Sequence, residues 1–153
     1  MIRTLLFLVA IITAGFFYGC NNNADGFEDE ISGTWYTQGK RSTIKVFAED
    51  GKYFGEIVDL KRPLNSEGEQ KRDFRNPDPE KRNNLLTGTR VLTGLEYDGD
   101  KLWNNGYYYD HKSGEKQEVV VKLKKDGTLS LQVEGMEKPM TWRSEYPVGR
   151  QRN

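Results

Sequence analysis

Between residues 32 and 146 the chain reads as short runs in which apolar and polar residues alternate. Val119, Val121 and Leu123 fall on one side of such a run, with Glu118, Lys122 and Lys124 mostly opposite. Leu129, Leu131 and Val133 alternate with Ser130, Gln132 and Glu134, and Ile44, Val46 and Ala48 with Thr43, Lys45 and Glu49. A period of two with one apolar face marks an antiparallel sheet that buries one side and wets the other. The runs are punctuated by "EDGK" at Glu49, "YDGD" at Tyr97, "KSGE" at Lys112 and "KDGT" at Lys125. Each supplies residues that tolerate the positive φ of tight hairpin turns. No segment sustains a helical period. The pattern predicts eight strands, at residues 33–37, 41–49, 53–60, 88–97, 102–109, 116–124, 128–134 and 140–146.

Eight short strands joined by hairpins must hide their edges. An up-and-down barrel does so most completely, while a sandwich would need crossings that successive hairpins disfavour. The fold class expected is therefore all-β, an eight-stranded antiparallel barrel with one long lid loop. Such an interior is either filled by side chains or holds one small ligand.

The lid is Lys61–Leu86, which is too long for a hairpin. It contains "DFRNPDPEKR", Asp73 to Arg82. Pro77 and Pro79 bar a ladder strand. Asn76, extended before proline, is suited to capping a turn, and Asp73 or Asp78 to pairing with Arg82. The stretch is expected to order itself over a barrel mouth, either as a self-bonded plug or as the cover of a ligand. In "NNGYYYD", Asn104 to Asp110, Tyr107 and Tyr109 share one face and Tyr108 takes the other. Their hydroxyl-bearing rings suit a partly polar small molecule, and equally an outer aromatic patch. Room beside them at Gly94 and Gly106 would favour a ligand. The candidate ligand and lid residues are accordingly Asp73, Asn76, Pro77, Asp78, Arg82, Tyr107, Tyr109 and Asp110.

The N-terminus assigns a compartment. Met1–Arg3 is a short basic start, and Leu5–Tyr18 is an uncharged run with the length of a signal-peptide core, short of a comfortable membrane span. It ends at Gly19-Cys20, which resembles the lipobox of bacterial lipoproteins. Residues 1–19 are thus expected to be a lipoprotein signal peptide and Cys20 the lipidated residue. Residues 20–31 would be a flexible tether, 32–146 a single barrel domain and 147–153 a tail. Membrane attachment would be through the lipid. Asn21 lacks the aspartate associated with inner-membrane retention, so placement at the outer membrane is expected.

Composition removes several classes of function. The chain carries 23 bases and 23 acids, so no basic excess marks a nucleic-acid binder. With one cysteine, itself the lipidation candidate, there is no intramolecular disulfide and no thiolate metal site. His111 is the sole histidine, and with no free thiol zinc is disfavoured. Asp73 and Asp78 lack the spacing of a calcium loop, and no Gly-rich phosphate cradle precedes a helix. Neither catalytic residues nor a cofactor are expected.

Two resemblances sharpen the expectation. Gly33-x-Trp35 resembles the opening strand of lipocalins and related calycins, whose tryptophan closes the barrel floor beneath a basic side chain from the last strand. Arg143 is the matching position, implying a cation–π contact that pins closure. The order Gly33-x-Trp35, "DGKYFGEI", "DFRNPDPEKR", "LTGLEYDGDKLWNNGYYYD", "LKKDGTLSLQVEG" and "TWR" resembles domain of unknown function 2147, a family of small exported bacterial proteins. The resemblance covers most of residues 32–143 and brings no established activity. This chain departs from it at His111, Gln117 and Glu134. It implies a lipocalin-like barrel, and the residues leave two readings open: a binding module for a small amphipathic molecule, or an envelope structural or interaction protein with a filled barrel.

Overall fold

In the computed structural model, which describes residues 28–144, eight strands close into one barrel in chain order. They are β1 (Gly33–Tyr36), β2 (Ser42–Glu49), β3 (Lys52–Leu60), β4 (Arg90–Tyr97), β5 (Leu102–Asp110), β6 (Glu115–Leu123), β7 (Thr128–Val133) and β8 (Met140–Ser144). All neighbours are antiparallel, and β1 pairs with β8 to seal the wall. Every strand lies within two residues of its expected bounds. The signal peptide, Cys20, residues 21–27 and the tail 147–153 lie outside the described residues.

The turn signals act as their chemistry requires. Asp50 and Gly51 both take positive φ, 52° and 74°, the two-residue turn that matches strand twist. At "KDGT" the Asp126 carboxylate accepts from the Thr128 amide and hydroxyl, at 3.0 and 2.7 Å.

In an up-and-down barrel the odd-numbered connections share one end. The β1–β2, β3–β4, β5–β6 and β7–β8 connections form what we term the mouth. The opposite end, the floor, is closed by a segment that was expected to belong to the tether. Glu28–Ile31 forms a single 3-10 turn, and Ile31 is buried in the core. The Trp35 indole Nε1 donates to the Ile31 carbonyl at 2.8 Å. Tyr53 donates its hydroxyl to Asp29 at 3.3 Å, and Lys101 meets Glu30 at 3.0 Å. Trp103 packs between Tyr53 and Tyr97, with ring centroids at 6.3 and 5.2 Å.

The expected stacking of Arg143 on Trp35 does not form. Trp35 faces the interior, and its register partner is Ser144; Arg143 pairs with Tyr36 and lies exposed. Adjacent strand positions point to opposite sides of the wall, so a one-residue offset places Arg143 outside. Closure rests on the β1–β8 ladder and on Ile31 beneath the indole.

The interior is unevenly filled. Leu95, Trp103, Val121, Leu129, Leu131 and Val133 are fully buried. Gly106 leaves no space beside the tyrosines: a Cβ there would lie 2.8 Å from Leu95. Its strand carries a bulge between Trp103 and Gly106, where Asn105 adopts φ 57°. That bulge sets which tyrosines face inward.

Candidate functional site

The loop 61–89 is ordered by its own polar groups and by the barrel. Bridges Leu64↔Gln70 and Arg72↔Leu85 fold it back on itself, and the Leu86 side chain enters the core. Arg72 also donates to the Asn83 carbonyl. Within the motif, Asp73 is 1% exposed and accepts two hydrogen bonds, 2.7 Å from the Tyr109 hydroxyl and 2.7 Å from the Asn76 amide. The Asn76 carbonyl oxygen of the side chain accepts from the Asp78 amide at 3.0 Å, the turn cap expected before Pro77. Asp78 in turn caps the short 3-10 turn Pro79–Lys81 through the Glu80 amide, at 3.1 Å. Its carboxylate is held below the usual range, first by Lys81 at 3.1 Å and then by that amide. Among the described residues Arg82 pairs with no acid; its Nε donates to the Asn76 backbone carbonyl at 2.8 Å.

The motif therefore coheres, but it does not cover the mouth. Leu92 and Tyr108 are register partners and face the interior, so Tyr107 and Tyr109 point outward. Asp73 docks on Tyr109 from outside the wall. Asp73, Asn76, Pro77, Asp78 and Tyr109 line an outer groove of about 710 Å³, shared with Lys81, Arg90 and Lys116. Tyr107 lies on the outer surface, with the Lys116 ammonium 4.6 Å from its ring. The lid's Arg75 carbonyl rests on the β5–β6 turn at Gly114, where φ is 82° and any Cβ would collide with it. Burial, then the Asp73 hydrogen bond and charge, push the Tyr109 phenol pKa well up.

A second space opens inside the barrel at the mouth, with a volume of about 610 Å³. Ile44, Ile57, Val91, Leu86 and Trp142 close its base as packed core residues, and Met140 and Tyr108 offer partly open surface above them. The Tyr108 phenol is pushed up to about 12, first by burial and then by Asp110. The rim carries Arg41, Lys61, Arg62, Lys71 and Lys112, with Asp110 and His111 between them. His111 keeps Nδ1 buried without a hydrogen-bond partner, and burial lowers its pKa despite the pull of Asp110.

Of the candidate ligand residues, only Asp110 lines this cavity; Tyr108 and the basic rim were missed. Strand alternation leaves the inward tyrosine undecided until the Asn105 bulge is known. The rim had a signal in the topology: Arg41, Lys61, Arg62 and Lys112 all stand in odd-numbered connections, which a meander gathers at one end. Among the described residues no cluster of three or more His, Cys, Asp or Glu side chains is placed to hold a metal.

A closed eight-stranded meander with an apolar space at one end is the architecture of lipocalin-like barrels. The family model for uncharacterized proteins conserved in bacteria, DUF2147, matches residues 33–146, and the chain belongs to that family. Among solved structures it is similar to protein HP1028 from the human pathogen Helicobacter pylori, described as belonging to the lipocalin family. The TM-score is 0.63 at 23% identity, over 75% of this chain and 82% of that one. No match was found among curated proteins.

Proposed function

We propose that this protein is a lipid-anchored envelope protein whose barrel binds one small amphipathic molecule at its mouth. The observation that carries the reading is the space of about 610 Å³ bounded by Ile44, Ile57, Val91 and Trp142. That volume falls within the range of small-molecule sites, about 300–1,000 Å³. Partly open Met140 and Tyr108 give it apolar surface beside a polar rim, the division that an amphipathic guest requires. The filled-barrel alternative accounts for the floor half of the interior but leaves the mouth half unexplained. The motif Asp73–Arg82 acts in this reading as a brace that fixes the loop, so that Lys61, Arg62, Lys71 and Leu86 hold their places at the rim.

Native mass spectrometry of the chain purified from its own host tests the reading. A bound small molecule is expected, released by organic solvent and absent from an Ile57→Trp variant of unchanged circular dichroism. A wild-type chain that is recovered bare and takes up nothing from a host extract would overturn it. The anchor is tested separately. Cys20→Ser is expected to abolish membrane association on fractionation; normal processing with full membrane retention would refute it.

A further inference from the structure

The mouth is charged in one sense. Arg41, Lys61, Arg62, Lys71 and Lys112 line it against the single carboxylate of Asp110. The whole chain has equal numbers of bases and acids, so this is segregation and not a general excess. Among the described residues some cations elsewhere meet carboxylates, while others on the outer wall and turns, such as Lys45, Lys122, Lys124 and Arg143, do not. Lys101 meets Glu30 at 3.0 Å, Lys52 meets Glu96 at 2.7 Å, and Arg90 meets Glu49 at 2.8 Å. Among the described residues none of the five mouth cations has a carboxylate partner. Lys71 instead donates to the Arg62 carbonyl at 2.7 Å, which ties two of the rim residues together. Asp110 is turned to its own hairpin, accepting from the Lys112 amide at 2.9 Å.

Gathering like charges around a low-dielectric opening is unfavourable in the empty protein and becomes favourable when an anion enters. The same pocket is lined below the ring by Met140 and Tyr108, partly open, and by the core residues Ile44, Ile57 and Trp142, which offer nothing to an anion. We propose that the molecule taken up is an anionic amphiphile, with its apolar part in the barrel and a carboxylate- or phosphate-type head at the Arg41–Lys61–Lys112 rim. The proposal rests on the reading of the mouth as a binding cavity and adds the charge of the guest.

Titration calorimetry of the full chain with three probes of equal tail separates the two claims. The probes are tetradecanoate, its methyl ester and tetradecyltrimethylammonium, each below its micellar concentration. Tetradecanoate is expected to bind at least about tenfold more tightly than either other probe at low salt, with the gap narrowing as salt is added. Arg41→Glu with Lys61→Glu should erase the preference, and both sites are exposed, so the fold should survive. Ile57→Trp, or Val91→Phe should the first not fold, should block all three probes. Equal affinities that Ile57→Trp still blocks would leave the cavity standing and sink the charge selection. No uptake of any probe by the wild type would remove the cavity reading itself. Inorganic phosphate binding as tightly as tetradecanoate would make the rim a bare anion site and overturn the proposal. Phosphatidylglycerol vesicles that bind wild type and Ile57→Trp alike, without tetradecanoate uptake, would overturn it in favour of docking on a lipid surface.

Discussion

Asp73 carries more of the structure than its place in a polar loop suggests. Its carboxylate is buried outside the barrel, and its two hydrogen bonds join the loop to β5 through Tyr109 and to its own turn through Asn76. A hydrogen bond to a charged group is worth about 1.5–3 kcal/mol, and stranding the buried partner costs more than the bond alone returns. Tyr109→Phe is therefore expected to destabilise the protein by roughly 2 kcal/mol in urea unfolding, and Asp73→Ala by about as much. The double variant should cost less than the sum, because the side chains touch. Alkaline pH offers an independent check. Tyr109 in the folded chain holds its proton above its ordinary pKa, so its contribution is complete below about pH 10 and declines as pH rises beyond that. Tyr108, held up to about 12, adds to the same slope, so Tyr109→Phe should reduce the alkaline loss of stability without abolishing it. Trp35 and Arg143 differ in the opposite way from their expected partnership. Trp35→Ala should cost about 3–5 kcal/mol as a truncation in the core. Arg143→Ala, on the outer face, should cost under about 0.5 kcal/mol, with no coupling to Trp35.

At the scale of elements, the strands were legible because each buries one face, which forces period two on the sequence. The loop between β3 and β4 was legible in its order, through Pro77, Pro79 and the Asn76 cap, but not in its placement. Its docking depends on Tyr109 facing outward, and that follows from the Asn105 bulge, which alternation alone does not announce. The Glu28–Ile31 turn escaped notice because a single apolar residue, Ile31, carries all of its burial after a polar run. The motif residues hold the loop against β5, and the cavity is lined by residues whose spacing in sequence has no pattern. They meet only because a meander returns every second connection to the same end. The junction of loop and barrel is concentrated at Gly114. Replacing it by alanine sets a Cβ against the Arg75 carbonyl at a φ of 82°, so both contact and backbone resist it. Gly114→Ala is expected to raise amide exchange at Asp73, Asn76 and Leu86 while the β6–β7 ladder keeps its protection. Uniform loss of protection across the barrel would show that loop and wall unfold as one unit.

Across the whole molecule, the barrel is divided between a floor committed to stability and a mouth left open. At the floor, three tyrosine and tryptophan rings pack together over the Ile31 turn, and Lys101 and Lys52 meet Glu30 and Glu96. At the mouth, the packed core opens into a pocket, and among the described residues its five rim cations stand without carboxylate partners. The two ends thus differ in the space next to their packed residues, and this predicts unequal responses to the same substitution. Adding volume to a close-packed core costs about 1–3 kcal/mol through displaced rotamers and backbone. Val121 is fully buried beside Trp103 in register, so Val121→Phe should show that full cost. Val91 is 3% exposed but borders the mouth pocket, so the added atoms of Val91→Phe can shift toward that space and relieve part of the strain. It should cost less than Val121→Phe in urea denaturation, and should at the same time weaken tetradecanoate uptake. Equal destabilisation by the two variants would mean that the mouth is as tightly packed as the floor, and a barrel so filled would have no interior site to offer.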